Sequence, residues 1–483
     1  MSMASKYFRT VAEPISYRDL AFPEVTDVQI KRLLMTVLDR KELAGHIRSV
    51  TISIAASVAN SIAGIIAGII AGTTSVEALP MEAERRECRM RLRCYMNRIR
   101  GLLRVMRLFC PPNQFIEMWQ RDILNEHLDV ERDTRFDGAL ALIIIQAINL
   151  RTLQLATTYG DSATICRTIV GLSWQFYNPN PALCPFNKLE DLCVRPQDIA
   201  PGIPGCSFAV SVPRSVRNLQ LAGCSITQLK AQDTFPLALQ TLDLQNAYVL
   251  PEDLIKALEM RKFINLRRLN LDGIRDPPDR MGDMSQWEGE DSFDCRELRE
   301  ALCTYTSQLE ELNFRSQPYA YLMEMWPLDF GSLEGLEKLR VLRIHIDRLI
   351  HGDGFDETEP YTPHLALPES LRHLEIVELP IGRINAYCAQ PVDAEKIASG
   401  MQFIIDTARS FPLELLEVGI CTRGPDTIHG SEEVVLTSAA VNLLKGLVKE
   451  SMEKRTVFQV YNGGEQKKPK CVLFGPRGLD QAV

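Results

Sequence analysis

The sequence predicts an α/β fold in which short strands and helices alternate along a solenoid, and three observations carry that prediction. The first is a six-residue pattern, apolar-x-x-apolar-x-apolar, that recurs through most of the chain. The second is that segments with helical spacing follow several of its copies. The third is composition: 46% hydrophobic and 24% charged residues suit a packed core, yet 483 residues are many for one compact domain.

The copies begin with LRTLQL at Leu150, LEDLCV at Leu189, VRNLQL at Val216, LQTLDL at Leu239 and LRRLNL at Leu266. LEELNF at Leu309, LRVLRI at Leu339, LRHLEI at Leu371 and LELLEV at Leu413 follow, and IRSVTI at Ile47 is an outlying copy. From Leu150 onward they start 23 to 43 residues apart. That is longer and less regular than the usual leucine-rich-repeat period of roughly 20–29 residues. The last two apolar residues of a copy stand two apart, so a strand turns both to one face and into the core. Helical spacing marks residues 253–263, 296–307, 394–409 and 438–454. Strand, helix and parallel strand then stack into a leucine-rich-repeat β-α solenoid, an irregular horseshoe, over residues 150–462, with a C-terminal tail at 463–483.

Ahead of the solenoid, residues 26–149 read as a helical N-terminal cap and first repeat that carry an apolar and an Arg-rich insertion. Thr26 or Asp27 can cap a helix whose Val28, Leu33, Leu34, Val37 and Leu38 pack inward. Such a cap covers the first hydrophobic face of the stack. No charged residue lies between Arg48 and Glu77, and Gly64, Gly68 and Gly72 have small-xxx-small spacing. Two readings follow for residues 50–72: attachment to a membrane, or a buried insertion. The bulky apolar residues there contribute only about −2 to −4 kcal/mol toward insertion, and Asn60 with the serines and glycines erodes that gain, which favours the buried insertion. Residues 82–109 hold nine Arg against three Glu, with Cys88, Leu92, Met96, Ile99, Leu103 and Met106 on one stripe. A surface helix with a solvated arginine face is the first reading, and a face for anionic lipid or RNA the second.

Fifty-four Lys+Arg against 62 Asp+Glu give a net charge of −8, which argues against a dedicated nucleic-acid binder. Thirteen cysteines are scattered with no C-x-x-C pair, so a reducing compartment, cytoplasmic or nuclear, is expected. The N-terminus lacks an apolar signal core. The sequence holds no phosphate-cradling G-x-x-x-x-G-K-[ST], no G-x-S-x-G elbow and no H-E-x-x-H. His345 and His351 lie near Asp353, Asp356, Glu357 and Glu359, but without the alternation of a calcium loop this reads as a solvated acidic loop. Cys193 has no local base and reads as a packed thiol. The expectation is a binding protein: no catalytic residue, no cofactor and no metal.

From Ala4 the chain reads ASKYFRTVAEPISYRDLAF, then VQIKRLLMTVLDRKELAGHIRSVTI. This resembles the fungal F-box/leucine-rich-repeat proteins, the substrate receptors of cullin-type ubiquitin ligases. Ser5, Lys6, Phe8, Arg9, Ala12, Glu13, Pro14, Tyr17 and Arg18 match the end of that family's F-box. Leu33, Leu34, Leu38, Arg40, Glu42, Leu43, Ala44, His46, Arg48 and Ser49 match the helix that leads into its first repeat. The resemblance implies that residues 1–25 are the remnant of the last F-box helix, N-terminally incomplete because the family's Leu-Pro opening does not precede it. It also implies contact with a Skp-type adaptor through Phe8, Arg9 and Val11, and an unknown protein substrate. The expected role is substrate recognition in an SCF-type ubiquitin ligase. The alternatives are a stand-alone repeat scaffold, or a membrane-attached repeat protein.

Within each copy the residues that alternate with the core positions should line the concave face and meet the substrate. They include Asn218 and Gln220, Thr241 and Asp243, and Arg268, Asn270 and Asp272. Glu311, Asn313, Arg315, Arg343, His345, His373, Glu375 and Glu417 continue the set. Both signs of charge occur, which suits protein recognition more than a lipid or nucleic-acid ligand. Trp287, Tyr319, Tyr321, Trp326 and Tyr361 sit in long connections expected to gather along one rim as aromatic anchors.

Overall fold

The computed structural model describes residues 12, 15–22, 27–53, 87, 90–95, 97–99, 137–157, 186–196, 206–209, 213, 215–222, 224–227, 238–245, 247–249, 251–260, 263–272, 295–315, 332–345, 367–380, 412–421, 442, 445–446, 457–462 and 472–474. They fall into two units, Met1–Leu239 with Asn246–Val249, and Gln240–Gln245 with Leu250–Val483. Both are α/β with parallel sheets.

In the first unit β1 (Asp19–Phe22) is followed by α1 (Asp27–Asp39), α2 (Lys41–Ala44), β2 (Ser49–Ser53), α3 (Asp137–Gln146), β3 (Thr152–Thr157) and β4 (Asp191–Pro196). Next come β5 (Cys206–Ala209), β6 (Asn218–Ala222), β7 (Cys224–Thr227) and, later in the chain, β9 (Tyr248–Val249). Strands β1, β2, β3, β4 and β6 pair in that order, all parallel. A second small sheet joins β5, β7 and β9, also parallel. Ile30, Leu34, Val37 and Leu38 give α1 one buried face, and α1 packs against α3, whose Leu140, Leu142, Ile143 and Ile144 are buried.

In the second unit β8 (Thr241–Gln245) precedes α4 (Pro251–Glu259), β10 (Arg268–Asp272), α5 (Cys295–Tyr305), β11 (Glu311–Arg315) and β12 (Val341–His345). β13 (His373–Pro380), β14 (Leu415–Cys421), β15 (Val457–Asn462) and β16 (Val472–Phe474) complete it. From β8 through β15, with β9 belonging to the first unit, neighbouring strands are parallel; β16 closes the edge antiparallel to β15. Leu254, Ala257 and Leu258 of α4 and Leu298, Ala301 and Leu302 of α5 are buried, and the two helices pack together.

The six-residue pattern explains the sheets. Every one of its ten copies yields a strand, and all three apolar positions in every copy are buried. Each buried Leu, Ile, Val or Phe contributes about 1.5–3 kcal/mol relative to exposure. Pairing keeps the copies in register: Leu269 lies beside Leu312 and Leu271 beside Phe314, and Leu374 beside Leu416. A repeated backbone device leads into most copies of the pattern. The carbonyl of the second position accepts two N–H groups of the next strand's copy, as Arg267 O does from Glu310 (2.8 Å) and Glu311 (2.9 Å). The first apolar residue donates its own N–H to the carbonyl three residues back, as Leu266 does to Phe263 and Leu339 to Leu336. Side chains immediately before the pattern add ties between copies: Lys188 Nζ donates to Asn149 Oδ1 (2.6 Å), and Ser215 Oγ to the Phe186 carbonyl (2.8 Å). Ser370 Oγ repeats this with the Leu339 carbonyl (2.7 Å).

Helices were expected over 253–263 and 296–307, and α4 and α5 occupy those places. The expected helix at 394–409 lies outside the described residues, as does nearly all of 438–454. Within the segment 1–25, assigned to a helical remnant, Asp19–Phe22 is instead a strand: Leu20 pairs with Val50 and Phe22 with Ile52. Residues 54–72 lie outside the described residues; among those described, no helix is long and apolar enough to cross a membrane. In the Arg-rich stretch Leu92 and Ile99 are buried while Arg91, Arg93 and Arg98 are exposed. Arg98 Nη1 donates to the Leu38 carbonyl (3.1 Å) at the end of α1 and to Asp39 Oδ1 (3.0 Å). Tyr95 donates its hydroxyl to Asp39 Oδ2, and that hydrogen bond raises the phenol above its usual pKa of 10.0. The phenol therefore keeps its proton, and with it the ability to donate, at neutral pH.

Between β11 and β12 the chain passes close over α5. A Cβ placed on Gly335 would meet Cys303 Cβ at 2.9 Å and its Sγ at 3.2 Å, and burial there pushes the Cys303 thiol pKa up. Gly335→Ala should therefore lower stability by about 1–3 kcal/mol through overpacking, read as a drop in the urea midpoint with an unchanged m-value. An undiminished midpoint would show that the turn shifts freely away from α5.

Candidate binding face and a buried polar row

Because side chains alternate along a strand, the third and fifth positions of each copy point away from the apolar core. In-register pairing sets the fifth positions of the second unit side by side: Asp243, Asn270, Asn313, Arg343, Glu375, Glu417. The row is stitched by side chains. Asn270 Nδ2 donates to Asp243 Oδ1 and Asn313 Nδ2 to Asn270 Oδ1, each at 2.6 Å. Gln245 Nε2 donates to the other oxygen of Asp243 at 3.0 Å. Arg343 Nε donates to Glu375 Oε2 at 2.9 Å, and His373 Nε2 meets Glu417 Oε2 at 2.8 Å. At the third position Arg268 pairs with Glu311 at 3.2 Å, both more open to solvent.

The face was expected to be open to a substrate along its length. At its centre it is not: Asn313 is 9% exposed, Glu375 0% and Glu417 6%. Arg343 and Glu417 flank Glu375 on the adjoining strands, and His373 stands two residues before it on its own strand. Burying two carboxylates is costly unless they are paired and hydrogen-bonded, which the arginine and histidine contacts supply. Asn313 Oδ1 is buried and accepts no hydrogen bond. Arg268 is exposed and Asp243, Asn270, Asp272, Glu311, Arg343 and His373 are half-buried, so these remain reachable. Arg315 and His345 fall at the C-terminal ends of β11 and β12. Phe8, Arg9 and Val11, and the aromatic residues Trp287, Tyr319, Tyr321, Trp326 and Tyr361, lie outside the described residues.

The first unit carries a shorter version. Thr152 Oγ1 donates to Asp191 Oδ2 (3.1 Å) and Asn218 Nδ2 to Asp191 Oδ1 (2.6 Å). Cys193 Sγ donates to Gln220 Oε1 (3.3 Å), so the thiol is engaged in the face.

One grouping escapes sequence inspection. His373 and Glu375 are two apart on β13 and Glu417 is the partner of Glu375 on β14, so one nitrogen and two carboxylate oxygens lie within 4.8 Å of one another. The i, i+2 half of it is visible in LRHLEI, but Glu417 lies 44 residues from His373, and only strand pairing brings them together. No protein-family model matches the chain, and no curated protein matches it either.

The ion pair at the centre gives a direct test. Arg343→Ala leaves the buried Glu375 carboxylate without its guanidinium and should cost about 3–5 kcal/mol in urea unfolding. Glu375→Leu in the Arg343→Ala background should return part of that loss, since an apolar side chain at 375 removes the uncompensated buried charge. Equal midpoints for the single and double variants would show that Glu375 is not held by Arg343.

Proposed function

We propose that the chain is a leucine-rich-repeat solenoid with a helical N-terminal cap that acts by protein–protein recognition, as the substrate-recognition subunit of an SCF-type ubiquitin ligase. The observation that carries the reading is the burial of every apolar position in ten copies of one pattern, each copy one parallel strand. Stacked repeats of this kind present a continuous polar face and variable connections, a surface suited to one protein partner. The ligase assignment rests on the resemblance of residues 4–22 and 28–52 to the F-box/leucine-rich-repeat proteins. Such a receptor performs no chemistry itself; it holds a target beside the transfer machinery and raises its effective concentration there. The exposed and half-buried residues of the face, Arg268, Glu311 and Asp272, are its proposed target contacts, and Phe8, Arg9 and Val11 its contacts with the Skp-type adaptor.

The test is co-purification from lysate. The tagged chain, extended by its upstream coding sequence, should capture the Skp-type adaptor and cullin, and Phe8→Ala should weaken that capture at unchanged thermal stability. Arg268→Glu should leave adaptor capture intact while reducing any co-purified target. Failure of both the chain and its extended form to bring down the adaptor would overturn the ligase reading and leave a stand-alone repeat scaffold.

A further inference from the structure

We propose that His373, Glu375 and Glu417 form a binding site for a divalent first-row transition metal of the zinc class. The donors are one imidazole and two carboxylates on adjacent strands, with ligand atoms 2.8 Å apart for His373 and Glu417 and all three within 4.8 Å. Ligands at about 2.1 Å around a tetrahedral ion stand roughly 3.4 Å apart, so the observed separations bracket what an ion requires. Side-chain shifts of about an ångström close the set. β13 and β14 fix the backbone beneath it: Glu375 and Glu417 are register partners, and His373 projects to the same face two residues earlier.

Burial and the surrounding hydrogen bonds point the same way. Glu375 and Glu417 are both buried, and Arg343 holds Glu375 from the neighbouring strand. Arg343 holding Glu375 Oε2 matches the outer hydrogen bonds that orient metal-bound carboxylates. The donor set selects among ions. Calcium takes six to eight oxygens and magnesium keeps most of its waters, whereas one imidazole with two carboxylates suits zinc, iron or cobalt. Three protein ligands leave a coordination position open to water or to a group on a bound partner.

This inference stands apart from the receptor reading and is tested without it. The purified full chain, stripped of metal, is dialysed against Co²⁺ and against Zn²⁺, and the bound ion is counted by elemental analysis. Because the chain holds 13 cysteines, cobalt spectra separate the sites: thiolate ligation gives an intense near-ultraviolet charge-transfer band that nitrogen and oxygen ligands do not. The expected result is one Co²⁺ per chain without that band, a raised Tm, and affinity that falls as pH falls because protons compete for the ligands. His373→Ala and Glu417→Gln should each weaken binding by at least about tenfold and remove the Tm shift. Glu417→Gln preserves side-chain shape, and its far-UV circular dichroism shows whether it is folded. Binding undiminished in both variants, a thiolate band, or no ion retained at millimolar concentration would each overturn the assignment.

Discussion

Parallel pairing in register leaves each position of the pattern with one kind of neighbour, its own equivalent on the next strand. Within each unit this puts apolar on apolar, as in Leu242 beside Leu269 and Leu269 beside Leu312, and polar on polar, as in Asp243 beside Asn270 and Asn270 beside Asn313. A slip of one residue would turn every leucine of a strand to the polar face. Several kilocalories of apolar burial per strand therefore guard the register of the polar row as well as of the core. The doubled acceptor at most strand entries, where one carbonyl takes two N–H groups, sets the same register from the backbone side.

What this stacking does to charge depends on solvent. At the second position Arg18, Arg48 and Arg151 follow one another on successive strands of the first unit, all exposed. Water and salt screen such neighbours, and repulsion between them is worth well under about 1 kcal/mol each. On the buried row of the second unit the same arrangement would be prohibitive. There the charges are sorted: amides at Asn270 and Asn313 stand between Asp243 and the glutamates, and Arg343 is interposed next to Glu375. Only Glu375 and Glu417 are like-charged neighbours, and that is where His373 reaches across to Glu417. At its acidic end the row is held by the Arg343 and His373 contacts.

The strands were legible because a period of two leaves a mark on the sequence, and a mark repeated ten times cannot be chance. Strands that break the mark were not. In β1 the leading apolar place is held by Tyr17, and the window leading into β15 opens on Arg455. β5, β7 and β9 are too short to show a period at all. The polar residues immediately before each copy, such as Lys188, Ser215 and Ser370, were visible as letters, but their value lies in the carbonyls and side chains of the preceding copy. Alternation was enough to put Asp243, Asn270, Arg343 and Glu375 on the polar side of their strands, while the burial of Glu375 and Glu417 was not foreseen. Alternation tells which side of a sheet a residue takes; it does not tell what neighbouring strands place over it.

Irregular spacing between copies is the feature that least resembles a regular repeat array, and energetics explains why the fold tolerates it. The copies start 23 to 43 residues apart. Closing a connection of doubled length costs only about 0.6 kcal/mol in chain entropy, less than burying one leucine returns. Each copy carries three such buried residues and pairs its strand into a parallel ladder, so the ladder dominates and the connection adapts. Length and sequence between copies can then vary without moving Asp243, Arg343 or Glu375 from their places in the row. The conserved quantity of this architecture is the register, and everything that distinguishes one copy from the next is carried by the polar positions and the connections.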